Sequence, residues 1–149
     1  MKTCILFFTA LLSLMLIQCS SVDRGSLIPE RESSDINFIL TAYDTDIDDP
    51  SKDRRSYYRV YINKIDSGRT TTGLESQAKF FETQLPPNRH LVKLEKWVLD
   101  EELGRYVKLN NIEQPKPDFI YVTADKTGII KVTMKSTKFG NAAFSKVVE

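Results

Sequence analysis

Phe119-Ile120-Tyr121-Val122-Thr123-Ala124-Asp125-Lys126-Thr127-Gly128-Ile129-Ile130-Lys131-Val132-Thr133-Met134-Lys135 is the stretch on which the reading of the fold turns. β-Branched and aromatic residues crowd both ends, and Ala124 to Gly128 supplies turn chemistry between them. Ile130, Val132 and Met134 alternate with Lys131, Thr133 and Lys135. Successive strand side chains point to opposite faces, so the apolar set is assigned to a core and the polar set to solvent. The spacing predicts a hairpin of 119–123 against 129–135.

The same pattern extends upstream. Ile36 to Tyr43 is short, β-branched and aromatic and precedes a turn-rich stretch from Asp44 to Arg55, so it reads as the first strand. Tyr57 to Ile65 follows as one strand, with Tyr58, Val60 and Ile62 on one face and Tyr57, Arg59, Tyr61 and Asn63 on the other. Gln77 to Gln84 is a further strand ended by Pro86-Pro87, in which only one of Phe80 and Phe81 need face the core. His90 to Tyr106 admits two readings. Leu91, Leu94 and Val98 have helical spacing, with Asn88 as a cap and Gly104 as a stop. Alternatively, His90–Leu99 and Arg105–Leu109 form a hairpin through 100–104, whose late glycine suits a positive φ. The hairpin is preferred because strands flank it on both sides. Pro115 and Pro117 mark a connection, and Phe144, Val147 and Val148 offer a short last strand or a frayed end. Short strands separated by turns predict an all-β protein with a single antiparallel β-sandwich over residues 36–149.

The start of the chain has a different character. Lys2 leads an apolar run from Ile5 to Ile17, too short for a comfortable membrane span, and Cys19 and polar chain follow. Residues 1–18 read as a cleaved export signal and 19–35 as a flexible tether, rich in Ser, Asp, Arg and Glu. Leu16-Ile17-Gln18-Cys19 resembles the lipobox of bacterial lipoproteins of the spirochaetal type, in which looser boxes are familiar; Gln18 stands where Gly, Ala or Ser is usual. The resemblance implies lipid attachment at Cys19 and anchoring at the outer membrane, facing the periplasm or exposed at the surface. Ordinary cleavage after Ser21 and an uncleaved anchor are the other readings of this segment.

Val60-Tyr61-Ile62-Asn63, Gly68-Arg69-Thr70 and Leu85-Pro86-Pro87-Asn88-Arg89-His90-Leu91-Val92-Lys93-Leu94 resemble the PEGA-type domain, a small β-sandwich module of bacterial envelope proteins. The resemblance implies an Ig-like sandwich and a non-catalytic role. Asn88 occupies the usual glycine position of the family's turn, which leads to an expectation of positive φ there.

Composition narrows the function classes. Lys and Arg number 21 against 20 Asp and Glu, a balance that offers no electrostatic case for binding nucleic acid. Of the two cysteines, Cys4 leaves with the signal, so a disulfide or a Cys-based site is not expected. His90 is the one histidine, read as a strand-start residue facing solvent or packing on a turn. No Gly-x-Ser-x-Gly elbow is present. Asp44-Thr45-Asp46-Ile47-Asp48-Asp49 spaces carboxylates as a calcium loop does. However, Asp49 sits at the usual glycine position, Arg55 replaces the closing acid, and Lys52, Arg54 and Arg55 lie nearby, so the stretch reads as a solvated acidic loop. Tyr57, Tyr58, Tyr61, Phe80, Phe81 and Trp97 read mainly as cross-strand packing, with an exposed binding surface as the functional alternative. The expectation is a lipid-anchored envelope module that is structural or protein-binding, with no metal and no cofactor. A surface adhesin for host or matrix protein and a hydrolase with an unrecognised site are the alternatives.

Overall fold

The computed structural model describes residues 36–149; Cys19, the signal segment and the tether lie outside the described residues. Ten strands form two sheets that face each other across one core. The smaller sheet has the order β10 (Ala142–Val148), β9 (Ile130–Thr137), β1 (Phe38–Thr45), β5 (Lys79–Thr83). The larger runs β3 (Ile65–Arg69), β2 (Arg55–Ile62), β6 (Asn88–Asp100), β7 (Arg105–Lys108), with β4 (Gly73–Leu74) beside β2 and β8 (Phe119–Ala124) beside β6. Among the described residues no helix is long and apolar enough to cross a membrane.

Alternation builds the core as the sequence implies. Phe38, Leu40 and Ala42 of β1 and Ile130, Val132 and Met134 of β9 meet Tyr58, Val60, Val92, Leu94 and Val122 of the larger sheet, all buried. Phe81 is buried and Phe80 exposed. The segment after Asn88 is a strand, and β6 with β7 forms the expected hairpin; Gly104 has φ +62° in its turn.

Four expectations are corrected. β8 and β9 do not pair: β8 lies antiparallel to β6 and β9 lies between β1 and β10, so the turn at 125–129 carries the chain from one sheet to the other. Val122 and Ile130 do point into the same core, but from opposite sides of it. The sandwich is not purely antiparallel, because β1 and β9 are parallel, from Phe38 beside Ile130 to Thr45 beside Thr137. The stretch 57–65 is not one strand either. Asn63 and Lys64, with φ of +53° and +70°, form a two-residue turn from β2 into β3, the doubly positive geometry that suits the twist of a hairpin. Asn63 tolerates that conformation and also ties the turn to β6, its Oδ1 accepting from the Leu91 amide at 3.0 Å. Asn88, by contrast, is not among the residues of positive φ and simply opens β6.

Candidate binding face

The outward positions of the larger sheet carry an arrangement of rings and guanidinium groups. Tyr57, Arg59 and Tyr61 share the outer face of β2, and register places Trp97 of β6 beside Tyr57 and Lys108 of β7 beside Trp97. Tyr57 and Trp97 stack with centroids 6.2 Å apart and planes 5° from parallel, and Tyr106 leans on Tyr57 at 5.0 Å. Arg59 sits 5.9 Å from the ring centres of both Tyr61 and Trp97, and Arg69 of β3 lies 5.1 Å above Tyr57. A second group stands farther along β6: Phe119 and Tyr121 of β8 meet edge to face at 5.9 Å, with Arg89 only 4.1 Å from the Tyr121 centroid. Such contacts are worth about 0.5–1 kcal/mol each when exposed.

Polar groups hold the frame between the rings. Arg59 pairs with Asp66, its Nε donating at 2.9 Å. Glu95 accepts from Lys108 Nζ at 2.8 Å and from the Tyr61 hydroxyl at 3.0 Å. Partial burial pushes the Glu95 carboxyl up, but those two bonds and the charge of Lys108 outweigh it and hold it below the usual carboxylate range. Trp97 Nε1 is buried and makes no hydrogen bond among the described residues, so the indole contributes through its ring. The expected aromatic set thus divides. Tyr57, Tyr61 and Trp97 gather on this face, Tyr58 and Phe81 enter the core, and Phe80 faces outward from the smaller sheet. Tyr106, Phe119 and Tyr121 join the face through strand pairings with β6 that single-strand alternation does not reveal.

A group of charged residues inside the sandwich went unread in the sequence. At one end of the core the inward positions change from apolar to ionised: Asp44 follows Ala42 on β1, Lys96 follows Leu94 on β6, and Lys79 precedes Phe81 on β5. Lys96 Nζ lies 2.7 Å from Asp44 Oδ2 and 2.7 Å from Glu75 Oε1, with the Lys96 and Asp44 side chains 1% and 0% exposed. Tyr58 donates its hydroxyl to Asp44 at 2.9 Å, and Arg54 grips Glu75 through Nε and Nη2 at 3.0 Å each and reaches Glu113. Gln114 fixes the Lys96 backbone from the gap between β7 and β8, accepting from its amide at 2.8 Å and donating to its carbonyl at 2.9 Å. Burial raises the Asp44 carboxyl despite Lys96 and Tyr58. Glu75 is also pushed up by burial, but Arg54 and Lys96 together bring it below its ordinary value.

Lys79 completes this layer, donating to the Glu75 and Gln77 carbonyls at 3.0 Å each. Burial drives its amine down to about 8 against opposing attraction from Asp44. The unfolded chain keeps that proton to about pH 10.4, so between these values the folded state binds fewer protons and stability rises with pH. Relative to Lys79→Met, the wild type is expected to gain up to about 1.4 kcal/mol per pH unit from pH 8 to 10. Urea denaturation of both proteins at pH 7, 8, 9 and 10 reads this directly, and a constant difference would show that Lys79 does not titrate there.

The acidic loop does not act as a unit. Asp44 is buried in the charge layer, which corrects its reading as solvated. Asp49 caps the short turn Pro50–Lys52 through the Ser51 amide at 3.0 Å, and Asp53 accepts from the Ser76 amide at 3.0 Å. Among the described residues no three His, Cys, Asp or Glu side chains converge as metal ligands do. The loop lines an open cleft of about 810 Å³ with Arg54, Glu113, Ile112 and Phe139. His90 is buried and packs on a turn, as one of its two readings had it, between the Pro86 carbonyl at Nε2, 2.8 Å, and Asn63 Nδ2 at Nδ1, 3.0 Å. Both ring nitrogens are thereby occupied.

No family model, no curated protein and no solved structure matches this chain.

Proposed function

We propose that the chain is a lipid-anchored cell-envelope protein, held at the outer membrane through Cys19, whose sandwich is a non-catalytic structural or protein-binding module. The observation that carries this reading is the outer face of the larger sheet. Tyr, Trp and Arg dominate protein-binding hot spots because they combine large contact area with directional donors, and here they are collected on the outer face of one sheet. The lipobox-like Leu16–Cys19 segment supports anchoring. The segments that resemble the PEGA-type domain lie on β2, β3 and β6, within the sheet that carries the face. Lys96 and Asp44, with side chains 1% and 0% exposed, offer a hydrolase no accessible acid or base. A surface adhesin would use this same face, and protease accessibility on intact cells separates the two placements.

A photo-crosslinking residue at Lys93, on the face, is expected to trap a discrete partner in intact cells, while the same residue at Thr133, on the outside of the smaller sheet, traps none. Tyr57→Ala is expected to abolish the adduct. Equal crosslinking from both positions, or none from either, would remove the reading.

A further inference from the structure

We propose that the partner meets the outer face of the larger sheet through an acidic segment, an inference that rests on the protein-binding reading above. Four of the six arginines among the described residues, Arg55, Arg59, Arg69 and Arg89, occupy outward positions on this sheet, together with Lys93 and Lys108. The carboxylates that answer them are Asp66, Glu95 and Asp118, each already committed to one cation. Arg59, Lys93 and Lys108 are therefore neutralised, whereas Arg55, Arg69 and Arg89 have no carboxylate within ion-pair distance among the described residues.

The way these arginines are held determines what they recognise. Arg69 sits over Tyr57 and Arg89 over Tyr121. A guanidinium held over a ring spends no hydrogen bond on it, so its N–H groups stay available to match a carboxylate in paired, parallel hydrogen bonds. The arrangement also disfavours a neutral sugar, which needs the ring faces that the guanidinium groups already cover. A lipid surface fits poorly too. The stacked rings of Tyr57 and Trp97 are half-buried, which leaves little apolar surface there to enter a bilayer. The exposed Phe119 and Tyr121 add apolar contact beside Arg89, and Arg with aromatic residues is the usual composition of a protein interface. The arginines of the two ring groups, Arg69 and Arg89, would each take one carboxylate of an acidic segment lying across β3, β2 and β6.

The test uses the full chain in neutral detergent, titrated with fluorescent poly-L-glutamate at low and moderate salt. Saturable binding that weakens with salt is expected, and Arg69→Gln with Arg89→Gln should weaken it about tenfold. Lys131→Gln with Lys135→Gln removes the same charge from the outside of the smaller sheet and should change it less than about twofold. Absence of saturable binding, or equal weakening by both pairs, overturns the inference. So does tighter binding to phosphatidylglycerol micelles that is lost in the same arginine variant, which would replace the acidic protein with a lipid surface. If poly-L-glutamate fails while the Lys93 crosslink persists, the acidic partner falls and the binding module stands; loss of both removes both.

Discussion

Lys96→Met is expected to lower the unfolding free energy by about 3 to 5 kcal/mol, the cost of leaving a buried ion without its partner. Lys96 is the one cation within ion-pair distance of Asp44 among the described residues, while Glu75 would keep Arg54. Asp44 would retain the Tyr58 hydroxyl alone. Its carboxyl is already raised by burial, and loss of the lysine raises it further, so the variant responds by taking up a proton. A group whose folded pKa lies above its unfolded value binds more protons when folded, so the variant gains stability as pH falls toward the unfolded value, about 3.9. The deficit should accordingly be larger at pH 8 than at pH 5. Asp44→Asn combined with Lys96→Met should recover a substantial part of it, because a neutral amide replaces the stranded charge. Urea denaturation of the three proteins at both pH values measures all of this. A loss below about 1 kcal/mol, or one independent of pH, would mean that water reaches the cluster and replaces the lysine.

Cys19→Ala is expected to abolish incorporation of a fatty-acid probe and to move the protein out of the membrane fraction. Each buried acyl methylene contributes about 0.8 kcal/mol, so acylation at Cys19 would make release from the membrane very unfavourable. The apolar run from Ile5 to Ile17 is short of the length that spans a bilayer. Metabolic labelling and fractionation of wild type and variant give the answer. Equal labelling of the two would defeat the lipoprotein reading, and membrane retention without label would assign the anchor to an uncleaved Ile5–Ile17 segment.

Alternation along single strands was a sound guide to which side chains face the core and a poor guide to which strands are neighbours. Val122 and Ile130 both face inward as expected. The same alternation is equally consistent with two strands side by side and with two strands on opposite walls, and 119–135 adopts the second arrangement. The charge layer had a signal that could have been read. Lys96 has the parity of His90, Val92, Leu94 and Val98, as Asp44 has that of Phe38, Leu40 and Ala42, so an ionised residue in an inward position is visible in the strand itself. What was missing is the pairing that lets these charges compensate, because Asp44, Glu75 and Lys96 converge only in three dimensions. The binding face was legible in part for the same reason. Tyr57, Arg59 and Tyr61 lie two residues apart on β2, but Trp97, Tyr106 and Arg69 join them through register. The resemblance places a positive φ at Asn88, where the family's turn has glycine, but the positive φ occurs at Asn63-Lys64, a turn without glycine.

The parallel pairing of β1 with β9 also sets the order in which the protein can be completed. The first strand lies in the interior of its sheet, flanked by β5 and by a strand from near the end of the chain. Until Thr137 has emerged, one long edge of β1 has no partner, and the loop that must close to supply it is nearly the whole domain. High contact order of this kind makes folding slow. Under the export proposed above, that delay has a use, since a polypeptide whose first strand cannot settle before its last ones arrive stays extended enough to thread a translocation channel.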